Sequence, residues 1–275
     1  MLPLVAVAGR VSAFNAVRMK IASFNINGIK ARLPRLLEWL EETRPTVACL
    51  QEVKSQDAGF PAEEFEKIGY HAIWHGQKSF NGVAILADGV KPVEIQRGLP
   101  GDDTDEQARY IEAEVNGVRV CNLYLPNGNP LPGPKFDYKL AWMKRLRTRC
   151  HEHLAAEIPT VVLGDFNVIP EDKDVWAVKA MENDALMQPQ SRDAYARMLN
   201  DGWTDALDTL NPHGGVWTYW DYQAGAWPRD HGFRIDHMLL SPDLADRLQA
   251  AGVDKEHRGR EKASDHAPVW VELKP

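Results

Sequence analysis

Cysteine is scarce in this chain, with only Cys49, Cys121 and Cys150 in 275 residues. The number is odd, the spacings are wide and no Cys-x-x-Cys pair occurs, so neither a disulfide framework nor a cysteine zinc site organises the chain. Cys49 and Cys121 lie inside apolar, strand-like runs. They are expected as reduced core thiols in a reducing, cytoplasmic setting. No run approaches the roughly eighteen apolar residues that a membrane-spanning helix needs. Excess positive charge is missing too. The formal net charge is −7, which excludes a uniformly basic nucleic-acid binder but leaves room for a local basic face. Neither a fixed-period repeat nor a low-complexity linker interrupts the sequence.

What remains is ordinary globular composition at a length that fits one large α/β domain or two small ones. Residues 1–18 carry Arg10 and Arg18 and no acid. That composition suits a transit peptide. Because Met19-Lys20 runs straight into the first strand, the segment is read as an overlong start or a disordered extension. A single catalytic domain is expected over 19–275.

Within that domain, strand-like and helical runs alternate. Ile21 to Phe24, Val47 to Leu50, Val83 to Leu86, Tyr110 to Val115, Val118 to Leu125, Thr160 to Leu163, Ile235 to Leu240 and Pro268 to Leu273 read as strands. Asn116-Gly117 predicts a tight hairpin. Leu33, Leu36, Leu37 and Leu40 recur at helical spacing, with Pro34 suited to a first turn and Arg44-Pro45 to a stop. Leu140, Met143, Leu146, Cys150 and Leu154 mark a second helix from about Asp137, and Asp193 is a candidate cap for a third. Lys144, Arg145, Arg147 and Arg149 are expected on the solvated face of the second helix. Hairpins argue against a doubly wound parallel sheet. The pattern predicts two packed mixed β-sheets flanked by helices.

The polar residues cluster where strands end. Asn25, Glu52, Tyr124, Asp165, Asn167, Asp236, Asp265 and His266 each follow or interrupt an apolar run. Any one alone has a plain structural explanation as a solvated strand end, a turn residue or a satisfied core histidine. All of them together do not. Carboxylates converging at one edge need protons or a cation to coexist. Oxygen donors without cysteine favour Mg²⁺ or Mn²⁺ over zinc, and such an ion with open water positions suits phosphoester chemistry.

The motifs Ser23-Phe24-Asn25-Ile26-Asn27-Gly28, Cys49-Leu50-Gln51-Glu52, Asn122-Leu123-Tyr124-Leu125-Pro126-Asn127-Gly128, Gly164-Asp165-Phe166-Asn167, Arg234-Ile235-Asp236-His237 and Ser264-Asp265-His266-Ala267-Pro268-Val269 resemble the exonuclease III family of the endonuclease/exonuclease/phosphatase superfamily. They occur in the family order over residues 19–274. The resemblance implies a four-layered α/β sandwich and Mg²⁺-dependent hydrolysis of duplex DNA at abasic sites or blocked 3′ ends, by a monomer that needs no membrane. It implies 3′→5′ exonuclease and 3′-phosphatase activities beside incision, in a balance left open.

The resemblance also implies roles. Glu52 is the metal ligand, with Asn25 and Asp265 beside it, in a set that extends to Asp165, Asn167 and His266. Asp165 orients or deprotonates the attacking water and is held by Asn167. Asp236 accepts a hydrogen bond from His266, which contacts the scissile phosphate, and Tyr124 faces that phosphate or the leaving oxygen. The general base stays open among Asp165, His266 and Tyr124. Arg109, Asn127 and Lys135, with Lys139, are expected toward DNA phosphates, and Phe233 and Trp220 as the apolar wall for a flipped-out abasic sugar. The segment Trp176 to Arg192 has no counterpart in the family pattern. A lipid or inositol phosphoesterase, or a silent DNA-binding module, is the alternative.

Overall fold

The computed structural model describes residues 18–275, so the expectation for the N-terminal extension lies outside the described residues, Arg18 apart. One mixed sheet holds β1 (Met19–Asn25), β2 (Val47–Gln51), β3 (Tyr70–His75), β4 (Val83–Asp88), β11 (Leu248–Val253) and β12 (Val269–Leu273). Its strand order is β11-β12-β1-β2-β4-β3. The other holds β5 (Val93–Arg97), β6 (Tyr110–Val115), β7 (Val118–Tyr124), β8 (Thr160–Asp165), β9 (Thr204–Asp205) and β10 (Asp236–Leu240), in the order β5-β6-β7-β8-β10-β9. The helices are α1 (Ile29–Thr43), α2 (Ala62–Lys67), α3 (Pro134–Ala155), α4 (Val178–Met181), α5 (Pro189–Asn200), α6 (Ala206–Leu210) and α7 (Pro242–Asp246).

The sheets pack face to face through β-branched and aliphatic side chains. Ile21, Val47, Cys49 and Ile85 of the first meet Ile111, Val120, Val161, Leu163 and Met238 of the second. A second cluster covers the outer face of the first sheet, where α1 lays Leu36, Trp39 and Leu40. A third covers the outer face of the second, under Trp142, Met143 and Leu146 of α3 and Tyr195 and Met198 of α5. The result is a four-layered α/β sandwich. All three cysteines are buried and free. Among the described residues, no helix is long and apolar enough to cross a membrane.

Each sheet contains one parallel pair, and a long helix joins its strands. β1 and β2 run parallel across α1, while β7 and β8 run parallel across α3. The remaining pairings are antiparallel. Both parallel units therefore deliver two strand ends each to one edge of the sandwich, which is where ligands gather in open α/β sheets.

Local chemistry moves several helix boundaries from those expected. α1 begins at Ile29, so Pro34 lies inside the helix and not in its first turn. Its exposed position leaves the carbonyl it cannot bond open to water. Arg44 closes α1 in the left-handed conformation with φ 41° and donates its N–H to Leu40 O, and Pro45 follows. α3 starts at Pro134 and α5 at Pro189, each with proline at a position whose N–H needs no partner. Asp193 therefore lies within α5 and caps nothing. Arg145, Arg147 and Arg149 are not simply solvated. They pair with Asp105, Asp201 and Glu112 and pin α3 to neighbouring elements.

Candidate active site

β8 carries the centre of the site. Its register sets Asp165 between Tyr124 on β7 and Asp236 on β10. Gly164 makes this spacing possible, because a Cβ there would fall 1.9 Å from Leu123 O and its φ is +142°. From the facing sheet, β1 ends at Asn25 beside Gln51, and Glu52 follows in the left-handed region at φ 50°. That conformation is costly for a residue other than glycine and turns the carboxylate out of the strand.

The two sheets meet at Asn25. Its Nδ2 donates to Glu52 Oε1 and to Asp165 Oδ2, both at 2.9 Å. Lys54 Nζ lies 2.7 Å from Glu52 Oε2 and also donates to Asn27 Oδ1. Burial works against the Glu52 carboxylate, yet Lys54 and Asn25 hold it below its ordinary range. Asn167 donates its N–H to Asp165 Oδ1 at 2.9 Å and its Nδ2 to Leu125 O, and accepts from Asn127 Nδ2 at 3.0 Å. On the other side, His266 Nδ1 bonds Asp236 Oδ2 at 2.8 Å, which aims Nε2 at Asp165 Oδ2, 3.7 Å away. Asp265 accepts from Asn27 Nδ2 at 3.1 Å.

Burial drives Asp165 up to about 7, with His266 drawing it down and Asp236 and Glu52 pushing it up. Burial disfavours charge on His266, but the Asp236 carboxylate prevails and holds the ring up to about 10. Burial, and then Glu52 and Asp165, raise the Tyr124 hydroxyl well above its ordinary value. Arg109 stacks 4.8 Å over the Tyr124 ring and donates to Tyr124 O at 3.1 Å.

Glu52, Tyr124, Asp165, Asn167, Asp265 and His266 line a cleft of about 350 Å³, together with Asn127, Tyr219, Phe233, Ile235 and Leu186. Larger grooves of about 480 and 690 Å³ lie along α3 and beside Trp227, but neither gathers the strand-end residues. Ligand atoms of Glu52, Asp165 and His266 fall within 4.8 Å of one another. Two carboxylates converging on one amide, one of them reluctant to ionise, fit a hard divalent cation. Glu112, Cys121 and His153 form a second tight cluster. There the carboxylate is saturated by Tyr110, Arg149 and His153, so that cluster is structural.

Comparison with known proteins agrees with this geometry. The model of the endonuclease/exonuclease/phosphatase family matches residues 22–266. The chain belongs to the endonuclease/exonuclease/phosphatase family. Exodeoxyribonuclease III of Haemophilus influenzae is 36% identical over 268 residues, covering 93% of this chain and 100% of that protein. The solved structure of the 3′ phosphatase NExo from Neisseria bound to product DNA hairpin superposes with a TM-score of 0.91 at 37% identity, covering 94% of this chain and 100% of that one. An AP endonuclease from Archaeoglobus fulgidus gives a TM-score of 0.89 at 36% identity, covering 93% and 99%. The family is one of metal-dependent nucleases, and this member is a DNA-hydrolysing enzyme of repair.

Of the residues expected from sequence, Asn25, Glu52, Tyr124, Asn127, Asp165, Asn167, Asp236, Asp265, His266 and Phe233 meet at or directly behind the family cleft. Four do not line it. Arg109 lies behind it, stacked on the Tyr124 ring. Trp220 is fully buried, donates Nε1–H to Asp230 at 2.9 Å and packs edge-on against Trp227. Neighbours in an extended segment point opposite ways, so the preceding residue, Tyr219, faces the cleft and contacts Phe233 with ring centroids 4.6 Å apart. Lys135 is exposed on the first turn of α3, outside the cleft lining. Lys139 does not reach out toward phosphate, because it is buried against backbone carbonyls.

Sequence reasoning missed Tyr219, Ile235, Met181, Asp184, Leu186 and Lys54. Alternation around Phe233 and Asp236 could have found Ile235 and Tyr219. Met181 and Leu186 belong to the segment that matched no family pattern. Asp184 folds that segment onto the site loop by accepting from Asn129 Nδ2 and Leu186 N at 3.0 and 2.9 Å.

Proposed function

We propose that this DNA-repair nuclease incises duplex DNA on the 5′ side of abasic sites and also trims blocked 3′ ends, with Mg²⁺ as its metal. The observation that carries the reading is the position of Asp165. It lies between the Asn25–Glu52 pair on one side and the Asp236–His266 pair on the other, at the floor of a cleft walled by Phe233 and Tyr219. Glu52 would hold the ion, with Asn25 and Asp265 beside it, which leaves Asp165 to the water. When bound, Mg²⁺ supplies neutralisation of charge on the phosphoryl and departing oxygens.

The remaining chemistry belongs to the chain. His266, kept cationic by Asp236, donates from Nε2 to a non-bridging phosphoryl oxygen and strengthens that bond as negative charge grows. Asp165 is the base in this reading. A proton acceptor works best with a pKa near the operating pH, and burial brings Asp165 to about 7. His266 already carries its proton, and the Tyr124 hydroxyl is held too high to lose one. Asn167 fixes the Asp165 carboxylate through its own N–H, so water is aimed in line with the 3′-oxygen leaving group. Phe233, Tyr219 and Ile235 select by size, because a nucleotide without its base costs least to extrude into a small apolar cleft.

The test is a duplex carrying one abasic-site analogue, incubated with Mg²⁺ and then with EDTA, beside an undamaged duplex and a 3′-phosphate end. Metal-dependent nicking 5′ to the lesion is expected. Cleavage of undamaged and 3′-phosphate substrates with no nicking at the lesion would refute the abasic-site assignment.

A further inference from the structure

Lys139 is a fully buried cation whose two acceptors are neutral backbone carbonyls. From α3 its Nζ donates to Pro126 O at 3.1 Å and to Asn167 O at 2.6 Å. Those carbonyls belong to two different loops. One follows β7 and bears Asn127, and the other follows β8 and bears Asn167, two residues beyond Asp165. Burial brings the ammonium down to about 7, against the pull of Asp165 and Asp184.

The path of the side chain is itself built. Gly128 sits against the lysine stem, where a Cβ would come 2.7 Å from Lys139 Cδ and 3.0 Å from Ala185 Cβ, at a backbone φ of +96°. Glycine at 128 is thus what lets the ammonium reach both loops.

We infer that Lys139 is a positioning residue for the reaction, threading past Gly128 to set the distance between the Asn127 loop and the Asp165–Asn167 loop. A side chain chosen for packing alone would be apolar there, because a methionine of similar length fills the space without desolvating a charge. What lysine adds is two directed hydrogen bonds at the point where the loops must stay in register. The side chains they position, Asn127 Nδ2 and Asn167 Oδ1, already meet at 3.0 Å. A nucleophile-orienting group misplaced by about an ångström costs on the order of a hundredfold in rate. Lys135, one turn earlier on the same helix and exposed, can make no such link.

The inference rests on the phosphodiesterase reading. Its test uses whichever DNA substrate the wild-type enzyme cleaves, so failure of the abasic-site assignment leaves it intact. Lys139→Met, Gly128→Ala and the double variant are compared in kcat, KM and melting temperature, at saturating Mg²⁺. Lys139→Met is expected to lose about tenfold or more in kcat, with KM within about threefold and a cooperative melt. Gly128→Ala is expected to show the same signature. The double variant should lose less than the product of the two single losses, because Gly128→Ala acts in part through the lysine and in part through backbone strain and the Ala185 contact. Wild-type kcat in Lys139→Met, or losses that multiply in the double variant, would overturn the inference. If Lys139→Met does not fold, Gly128→Ala decides alone: a lower kcat at unchanged KM supports the role, and wild-type kcat rejects it.

Discussion

Replacing Asp236 with asparagine probes the charge on His266. In the native protein the Asp236 carboxylate, 2.8 Å from Nδ1, overcomes burial and holds the ring up to about 10, so it stays charged throughout neutral pH. Asparagine keeps the shape and loses the charge. Burial then opposes the charge and only the weaker pull of Asp165 and Asp265 favours it, so the ring should fall toward its ordinary value of 6.5. A full return is worth about 5 kcal/mol of preference for the charged form. It leaves roughly 3% of the rings charged at pH 8. Asp236→Asn is therefore expected to lose on the order of 10- to 30-fold in kcat at pH 8, and more if the freed ring also turns. The sign is specific. Charge on His266 exists below its pKa, so the variant-to-wild-type ratio of kcat should recover as pH falls toward 6, where protonation of Asp165 slows both, and should fall about tenfold for each pH unit above the new midpoint. Wild type should show no such loss between pH 7 and 9. The assay is steady-state cleavage of the abasic duplex at saturating Mg²⁺ across pH 6 to 9. A variant within threefold of wild type at pH 8, or one with the wild-type profile, would refute the role given to this pair.

Other substitutions separate site from scaffold. Asp165→Ala should cost orders of magnitude in turnover with an unchanged melt, and near-normal metal-dependent cleavage would exclude Asp165 as the base. Phe233→Ala should lower kcat/KM for the abasic duplex more than for an undamaged end, measured by paired gel assays, because it opens the wall that selects by size. Glu112→Gln should cost about 1–3 kcal/mol of stability in urea titration with kcat retained, because Arg149 and His153 lose their buried charged partner far from the cleft while Arg149 keeps Glu152. Asp205 is buried, which disfavours its charge, but Arg234 prevails and holds it down to about 2 against an ordinary value of 3.8. Its contribution of about 2 kcal/mol is complete above pH 4 and is lost as pH falls toward 2. The stability gap between wild type and Asp205→Asn should therefore narrow between pH 4 and 2.

The polar half of the site was legible because it lies on strand ends. A buried strand needs a run of β-branched and aliphatic residues, and such a run makes the first polar residue after it conspicuous. Asn25 and Asp165 stand at that position, Glu52 follows Gln51 one residue beyond it, and Asp236 opens β10. The bounds of β6 were readable for the same reason, with Asn116-Gly117 fixing the hairpin. β3, β5 and β11 escaped notice because they are edge or near-edge strands with half-exposed faces, so their side chains do not segregate by polarity. Helix starts were missed where proline, not a capping side chain, opens the helix.

The wall of the cleft was harder to read, and the reason is physical. Its residues come from extended segments held by isolated bridges, Tyr219 to Phe233 and to His266, and Val175 to Phe233. In such a segment the side that faces the cleft is decided by what lies behind it. Trp220 turns inward because Asp230 and Trp227 receive its indole, and Arg234 turns inward because Asp174 and Asp205 neutralise it. Tyr219, Phe233 and Ile235 are then left to face the substrate. Aromatic density alone marked the region but could not divide it between core and cleft. The buried Arg234 pairs make that division, since an arginine placed between two wall residues can be buried only if carboxylates wait behind it. The side chains that wall the cleft are thus set by ion pairs that do not line it.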